Sequence, residues 1–389
     1  CCCLLNSVSS QPILSVCEHF GMPVVSLVHE FASYVSAQID LNNMILQSTE
    51  VVFSADLTLN DAVDKIDNWS PGTHAHVIPQ GKCTLPQRLS PGEVDKDPLL
   101  FNIAEGCKII LGVGTVCSRK GVDVFLQCAA RFLKLSDDKN YKFVWVGNSL
   151  DVDRKDPYSR YVFEQVKRSG LSNYFLLMDE TDFLNDIYWQ ADLFLLTSRL
   201  DPLPNVAIDA ICLGMPLVCF AESTGIAGIL SDWGVSEYCV APYLDPAEMA
   251  RLAMQMLDDR RVYDKVANVF SAIAEKVFRF ENYVGGIKGV IDSAIAAVLQ
   301  ENIDVDMILR SDEFDLAYWN QCNQTEFSIN NAVRSFVRSW RSGIMRHKPN
   351  QFFDPAMYIK YNSPFEGNPF SHYLQMGKPI GPWILSAKS

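Results

Sequence analysis

The stretch SRLDPLPNVAIDAICLGMP, residues 198–216, directly follows the apolar run DLFLLT and joins a buried strand to a helix. Pro202 and Pro204 stiffen the turn, and Asn205 is a residue type that caps the start of helices. Gly214 suits the position just after the last helical turn, where the backbone takes a positive φ. Ligands of doubly wound sheets bind beyond the carboxyl ends of the strands. The stretch therefore predicts an α/β domain with a binding site at this turn.

Short apolar runs alternate with segments of helical periodicity over most of the chain. Runs such as VVSLV, KIILGV and KFVWV are mostly apolar, which is typical of parallel strands covered on both faces. The alternation predicts parallel sheets with helices on both sides. The expected regions are an α/β region at 1–98, a linker at 99–107, a second α/β region at 108–300 and a helical, aromatic-rich tail at 301–389.

The composition excludes several classes of protein. The chain has 389 residues and a formal net charge of -13, which disfavours the basic surface that nucleic acids require. Its 12 Cys form no C-x-x-C pair, so we expect no metal site. No apolar run reaches the roughly 18–20 residues of a membrane span. The first residues include neither Met nor the basic start of a signal peptide, so we expect a piece of a longer polypeptide.

Two carboxylates mark the opening stretch as a site for hydroxyl groups. Asp201 lies in the turn, and Asp209 lies four residues after Asn205, one helical turn further in. The free amides at a helix start suit a phosphate, whereas ionised carboxylates only accept hydrogen bonds and suit hydroxyls. A phosphate with hydroxyl-bearing groups on both sides is a nucleotide sugar. The alternative is that Asp201 is a turn residue and Asp209 a solvent-exposed helix residue.

A second motif, GVGTVCSRKG at residues 112–121, follows the apolar run KIIL. Gly112 and Gly114 would allow a ligand to approach the backbone closely, and Arg119 and Lys120 add two cations. The motif therefore predicts a second hold on a diphosphate. The alternative is that Arg119 and Lys120 are solvated surface residues.

These motifs resemble glycosyltransferase family 4, whose members are retaining enzymes of the GT-B fold. The segments that carry the resemblance are ILGVGTVCSRKGVDVFL, FVWVG, ADLFLLTSRLDPLPNVAIDAICLGMPLVCF and APYLDPAEMA. The resemblance implies two Rossmann-like domains, with a nucleotide-sugar-binding domain at 108–300. Region 1–98 resembles only the C-terminal part of the acceptor-side domain, through LLNSVSSQPIL, VVSLVHEFASYV, VVFSAD and VIPQG. Within the tail at 301–389, the stretch FFDPAMYIKYNSPFEGNPFSHYLQMGKPIGPW, residues 352–383, resembles a short module of bacterial capsule, exopolysaccharide and O-antigen transferases.

The resemblance assigns roles to the residues that contact the donor. Asp201 would bind hydroxyls of the donor sugar and Asp209 those of the ribose, each one methylene shorter than the family's Glu. Lys120 matches the family's phosphate-binding Lys. The backbone from Leu203 through Pro204 and Asn205 to Val206 would meet the diphosphate.

Further positions follow from the same resemblance. Thr115 stands where many members carry an Arg, and Arg119 would substitute for that contact. Glu180 lies in LMDET, where the family reads the base. His29 and Glu30 end a predicted strand facing the cleft between domains, and we assign them a catalytic or donor-contact role; a lone His there is more often structural.

The function that the resemblance implies is metal-independent, retaining transfer of a sugar from a nucleotide-diphosphate sugar, without a cofactor, to a growing bacterial surface glycan or its lipid-linked form. We expect a cytoplasmic protein with peripheral contact to the inner face of the plasma membrane through the basic amphipathic segment 331–348. That segment's arginines would alternatively pair with this acidic protein. Two further alternatives are a non-catalytic nucleotide-sugar or glycan-binding module and an epimerase or phosphorylase of the same fold.

Overall fold

The structure is a computed structural model, and it falls into two compact units. The residues that it describes are 1–35, 38–72, 74–82, 103, 106–148, 156–181, 184–344, 346–365 and 367–385. Unit 1 comprises Cys1–Ser54, Thr58–Ile78 and Gly285–Ser389, and unit 2 comprises Ala55–Leu57 and Pro79–Val284. Most of the expected linker at 99–107 lies outside the described residues.

Unit 1 contains a parallel four-stranded sheet whose order follows the chain. Its strands are β1 (Cys3–Asn6), β2 (Val24–Val28), β3 (Glu50–Phe53) and β4 (Ala75–Val77). The helices between them are α1 (Leu14–His19), α2 (Gln38–Gln47) and α3 (Asp56–Lys65), with short 3-10 turns at Val8–Ile13 and Ala32–Tyr34. Every residue of β2 and β3 is buried, as continuous apolar runs predict.

Unit 2 contains a six-stranded parallel sheet in the order β10-β9-β8-β5-β6-β7. Its strands are β5 (Lys108–Val113), β6 (Tyr141–Val146), β7 (Phe175–Met178), β8 (Leu193–Leu196), β9 (Leu217–Phe220) and β10 (Val240–Ala241). The chain adds strands on one side of β5 and then reverses to add β8 on the other side. This is the strand order of a doubly wound dinucleotide-binding sheet, which places a ligand at the reversal.

Helices follow the strands of unit 2 and bury one face each. They are α4 (Val122–Leu135), α5 (Pro157–Arg168), α6 (Leu184–Gln190), α7 (Asn205–Cys212), α8 (Gly225–Asp232), α9 (Ser236–Cys239), α10 (Pro246–Asp258) and α11 (Arg260–Lys276). In α4, Val124, Phe125, Cys128 and Phe132 are buried, at the three- and four-residue spacing that predicts a helix.

A long helix, α12 (Phe280–Arg310), begins in unit 2 and ends in unit 1. The expected boundary at residue 300 falls inside this helix. The tail then forms α13 (Leu316–Asn323), α14 (Ile329–Arg341), α15 (Pro355–Asn362) and α16 (Pro369–Gln375). These helices share a core of buried aromatic residues, among them Trp319, Phe336, Tyr358 and Phe370.

The tail is part of unit 1, where it packs against the region of the first sheet. The indole Nε1 of Trp69 donates to the carbonyl oxygen of Ser342 at 2.8 Å. The backbone amide of Ser70 donates to the carbonyl oxygen of Gly343 at 3.1 Å. A Cβ on Gly343 would lie 1.8 Å from the carbonyl oxygen of Ser70, so only glycine allows this approach. The aromatic tail and the first sheet therefore form one unit.

The amphipathic helix α14 turns its apolar stripe inward. Val333, Phe336 and Trp340 are buried in the tail core. In this arrangement the apolar stripe of α14 is not available to a membrane. Within the described part of the chain, no helix has both the length and the apolar character needed to cross a bilayer.

Candidate functional site

The loops after β5 and β8 meet at the strand reversal of unit 2. Gly121, which precedes α4, has a φ of 73° and lies against the end of β8. A Cβ on Gly121 would lie 2.1 Å from the carbonyl oxygen of Thr197, and the Thr197 hydroxyl donates to the Gly121 carbonyl oxygen at 3.0 Å. The two predicted motifs are therefore joined through backbone contacts.

Asp201 forms an ion cluster with the two cations of the first loop. Its Oδ2 lies 2.5 Å from Lys120 Nζ, and its Oδ1 lies 3.0 Å from Arg119 NH1. The Ser198 hydroxyl also donates to Oδ2 at 3.0 Å. Asp201 is only 6% exposed, so these charges interact with little screening. Two cations on one carboxylate leave one positive charge at the reversal.

A second ion pair fixes the first loop in place. Both terminal nitrogens of Arg199 reach the carboxylate of Asp123, at 3.0 and 2.7 Å. The amide of Arg199 also donates to the carbonyl oxygen of Arg119. Burial alone would raise the pKa of Asp123, but hydrogen bonds from Arg199 and the Tyr158 hydroxyl outweigh it and hold the pKa below its ordinary value. The bidentate pair stays charged and holds Arg119 beside Asp201.

Helix α7 begins without a side-chain cap. Its N-cap is Pro204, so the prediction that Asn205 caps the helix is wrong. Asn205 is instead the first helical residue, and its side chain accepts a hydrogen bond from Gln80 Nε2 at 2.7 Å. The first backbone bonds of this turn come from Ala207 and Ile208, so the amides of Asn205 and Val206 precede them. Gly214 has a φ of 70° after the last turn, as predicted.

Asp209 lies on α7 with its side chain buried. It is 7% exposed, so the alternative of a solvent-exposed helix residue is wrong. Burial raises the pKa of Asp209, with the positive charge of Lys82 acting in the opposite direction. Within the described residues, no hydrogen bond to its carboxylate is found. The carboxylate oxygens are not among the fully buried atoms that lack a partner, so they remain accessible to a ligand hydroxyl.

The glycines after β5 have two different roles. A Cβ on Gly112 would lie 2.5 Å from the ring of Trp145, so the missing side chain makes room for core packing. Gly114 has a φ of 149°, and its carbonyl oxygen accepts from Trp145 Nε1 at 2.8 Å. A Cβ on Gly114 would lie 3.2 Å from the side chain of Lys120. The structure gives Gly112 a packing role, and its donor contact stays a prediction.

Two predicted contacts lie at the outer edge of this site. Thr115 is exposed in the loop after β5. Glu180 follows β7, is exposed, and accepts a hydrogen bond from Asn148 Nδ2 at 2.8 Å. Both are free to contact a ligand, and their donor contacts stay predictions.

His29 and Glu30 belong to unit 1, at the carboxyl end of β2. His29 Nε2 lies 2.8 Å from Asn6 Oδ1, and burial lowers the pKa of the imidazole although Glu30 opposes the shift. Glu30 accepts from the Ser7 hydroxyl at 2.5 Å and from the Val8 amide at 3.4 Å. Both side chains therefore hold the turn after β1, and their catalytic role stays a prediction.

Comparisons with known proteins identify relatives of this fold. Residues 96–277 match the family model described as "Glycosyl transferases group 1". Of solved structures, HepE from Anabaena in complex with UDP-glucose is 16% identical, with a TM-score of 0.61 over 75% of this chain and 78% of that chain. Sucrose-phosphate synthase from Thermosynechococcus elongatus is 17% identical, with a TM-score of 0.61 over 76% and 73%.

The fold is GT-B. The match to the family model covers slightly less than half of this chain. Mannosylfructose-phosphate synthase of Agrobacterium fabrum is 23% identical over 59% of this chain and 50% of its own length. Alpha-D-kanosaminyltransferase of Streptomyces kanamyceticus is 24% identical over 41% of this chain and 39% of its own length. The chain spans about half the length, or less, of these curated relatives.

Several residues near this site are not among the predicted donor contacts. Gln80 donates to the Leu203 carbonyl oxygen at 2.8 Å as well as to Asn205, so it braces the start of α7. Lys82 is the cation that acts on Asp209. Ser198 is signalled only by its position at the end of β8. Gln80 and Lys82 are too far from α7 in sequence for any local pattern to indicate their role.

Proposed function

We propose that the chain transfers a sugar from a nucleotide-diphosphate sugar to a glycan. The nucleotide-diphosphate sugar would bind at the strand reversal of unit 2. The ion cluster of Asp201, Lys120 and Arg119 is the observation that carries the proposal. It places one surplus positive charge in the loop that leads into the uncapped start of α7. The group 1 domain over residues 96–277 supports the same function.

The chemistry requires stabilisation of a departing diphosphate. The barrier lies in breaking the bond between sugar and phosphate through an oxocarbenium-like state. Lys120 and Arg119 would meet the growing negative charge, with the amides of Asn205 and Val206 adding donors at the positive end of the helix dipole. Because these groups supply the charge, we propose that the reaction needs no metal ion and no cofactor.

The ion cluster also limits what Asp201 can do for the donor. A carboxylate offers about four lone-pair sites, and Arg119, Lys120 and Ser198 use three of them. One site remains for a hydroxyl of the donor sugar. We propose that Asp201 chiefly positions Lys120 and accepts one sugar hydroxyl, while the unpartnered Asp209 accepts from the ribose.

The finer assignments rest on the resemblance to glycosyltransferase family 4. We propose retention of the anomeric configuration, with attack from the face that the leaving group vacates and a phosphate oxygen as base. We propose a bacterial surface glycan, free or lipid-linked, as acceptor, and a location at the cytoplasmic side of the membrane. His29 and Glu30 would serve this reaction only if the turn after β1 opens to substrate.

The proposal is tested by nucleotide binding and turnover. In a thermal-shift experiment with UDP, GDP and dTDP, one of the three should stabilise the protein. At a concentration of 100 times its Kd, that nucleotide should raise the free energy of unfolding by about 2.7 kcal/mol. Lys120→Gln should weaken binding of that nucleotide. It should also lower the rate at which the nucleotide is released from the nucleotide sugar by about 100-fold or more. Lys134→Gln on the exposed face of α4 is the matched control and should change neither.

The rival functions give different results in the same experiment. A non-catalytic glycan-binding module would bind glycan and show no shift with any nucleotide. An epimerase would act on the nucleotide sugar without an acceptor, and a phosphorylase would depend on free phosphate. Wild-type turnover in Lys120→Gln would defeat the proposal.

A further inference from the structure

Unit 1 encloses a large polar cavity that the proposed reaction does not use. Its volume is about 950 Å³, within the range of small-molecule sites. It lies between α1, the end of α2, the C-terminal half of α12 and the polar face of α14. All of its lining residues belong to unit 1, so it is separate from the ion cluster of Asp201.

Three arginines of α14 converge on one buried carboxylate in this cavity. Arg334 and Arg341 each place NH1 at 2.6 Å from an oxygen of Glu301, and Arg338 places Nε at 2.9 Å. The side chain of Glu301 is 2% exposed. Burial alone would raise the pKa of Glu301, but the charges of Arg341 and Arg338 outweigh it and hold the pKa below its ordinary value.

The cavity carries more positive charge than Glu301 can balance. Arg338 also pairs with Glu18, and Arg346 adds a fourth guanidinium to the wall. Four guanidinium groups against two carboxylates leave a surplus of two positive charges in a protein whose net charge is -13. Like charges held on one helix face repel, and a further anion in the cavity would offset this repulsion.

Two buried polar atoms in the wall are also left without partners. Nε of Arg341 and Nδ1 of His347 are buried, and no hydrogen-bond partner is found for either within the described residues. Burial lowers the pKa of His347 to about 4, so the imidazole is neutral near pH 7. An unsatisfied buried donor is costly, so Arg341 Nε adds to the cost of burying this cluster.

We infer that this cavity binds a phosphate group carried by a hydroxyl-rich molecule. Guanidinium forks match phosphate oxygens in pairs, and three forks spaced along one face of α14 can surround a tetrahedral anion. The volume exceeds that of a phosphate alone. Ser335, Ser339 and Asn331 line the remaining wall with groups that bind hydroxyls. A free phosphorylated molecule and a lipid headgroup share this chemistry.

The test measures binding of inorganic pyrophosphate to the full chain by calorimetry. Arg334→Gln with Arg338→Gln should weaken binding at least tenfold, since charge-assisted hydrogen bonds are lost. Arg310→Gln is the matched control, because Arg310 is exposed on α12 and pairs only with Asp306 in the described structure. Binding by the double variant equal to that of Arg310→Gln would overturn the inference.

Two further variants separate misfolding and the donor site from this result. Ser335→Glu keeps every arginine but adds a negative charge to the wall of the cavity. It should therefore also weaken pyrophosphate binding at least tenfold. The proposed donor site would also bind pyrophosphate, so Lys120→Gln should remove that binding and leave binding in this cavity intact. Loss of all pyrophosphate binding in Lys120→Gln would overturn the inference while leaving the proposed function standing. Absence of nucleotide binding in wild type would overturn the proposed function while leaving the inference standing.

Sedimentation with vesicles identifies the source of the phosphate. Vesicles of phosphatidylglycerol that bind wild type, but neither the double arginine variant nor phosphatidylcholine vesicles, would assign a lipid headgroup. Pyrophosphate binding without vesicle binding would assign a free phosphorylated molecule. Either result supports the cavity as a phosphate site.

Discussion

Lys120 Nζ lies 2.5 Å from Asp201 Oδ2, so the cation expected to hold a donor phosphate already has a carboxylate partner. Arg119 shares the same carboxylate from the other side. The cluster is therefore preorganised before any ligand arrives, and a phosphate must compete with Asp201 for the two cations. Preorganised charges need little rearrangement during reaction, which is how such groups lower a barrier.

Asp201→Asn should separate nucleotide binding from sugar transfer. The substitution frees both cations, so UDP or whichever diphosphate stabilises wild type should bind at least as tightly. Binding of the corresponding nucleotide sugar and its turnover should fall about tenfold or more, because the sugar loses an acceptor and Lys120 its position. Calorimetry and release of nucleotide measure the two effects.

The same variant should also be less stable. Breaking a buried pair leaves uncompensated charge, and we expect a loss of about 3 kcal/mol in the free energy of unfolding. Asp232→Asn, at an exposed position of α8, is the control and should leave unfolding unchanged. Weaker binding of the bare diphosphate by Asp201→Asn would contradict the competition described above.

Asp209→Asn should change how stability depends on pH. Burial raises the pKa of Asp209 in the folded protein, so the folded state holds this proton more tightly than the unfolded chain. That contribution is fully present below the unfolded pKa and is lost as pH rises through the folded pKa. Wild type should therefore lose stability relative to Asp209→Asn as pH rises above about 4, the ordinary pKa of an Asp side chain, in denaturant titrations.

Ligand binding gives Asp209→Asn a second readout. If the carboxylate accepts ribose hydroxyls, the variant should bind the nucleotide about tenfold more weakly or worse. Binding equal to wild type would remove Asp209 from the donor site, whatever the stability shows.

Gln80 should act as a positioning residue for the start of α7. Gln80→Ala removes the donor that reaches Leu203 and Asn205, and we expect about threefold to tenfold weaker nucleotide binding. Gln80→Glu keeps the size but places an acceptor with a negative charge against the same two oxygens, so it should weaken binding at least as much as Gln80→Ala. Gln127→Ala, exposed on α4, should match wild type. Full affinity in Gln80→Glu would show that the hydrogen bonds are not needed.

Gly121→Ala should test the contact that joins the two loops. Gly121 and Gly170 have φ values of 73° and 71°, but only the added Cβ at 121 meets an atom within 4 Å, the Thr197 carbonyl oxygen at 2.1 Å. Gly170→Ala should cost only the strain of its backbone, about 1 kcal/mol. Gly121→Ala should cost several kcal/mol by thermal or denaturant unfolding. Equal losses would show that this approach relaxes easily.

The sheet of unit 2 could be predicted because its strands are buried on both faces. The runs of β5 and β8 are mostly apolar, and the intervening helices have the spacing of one apolar face. The positions of Asp201 and Lys120 near strand ends followed from the same reading. Their pairing did not, because it depends on how two loops lie against each other in space.

Other features depend on contacts between residues that are distant in sequence. Gln80 reaches Leu203 across 123 positions, and Trp69 reaches Ser342 across 273. Local patterns carry no information at these separations, so the tail was expected as a separate module. Gly112 was expected near a ligand because strand-end glycines often are, yet the ring of Trp145 fills the space beside it.

Unit 1 is assembled from both halves of the chain, and this has a consequence for its synthesis. The strands β1 to β4 are made first, but their partners in 285–385 leave the ribosome only after all of unit 2. Until then Trp69 lacks the acceptor at Ser342, and part of the first sheet's surroundings stays uncovered. Nascent chains should therefore acquire protease resistance in unit 2 before unit 1, in the reverse of the order in which translation begins them.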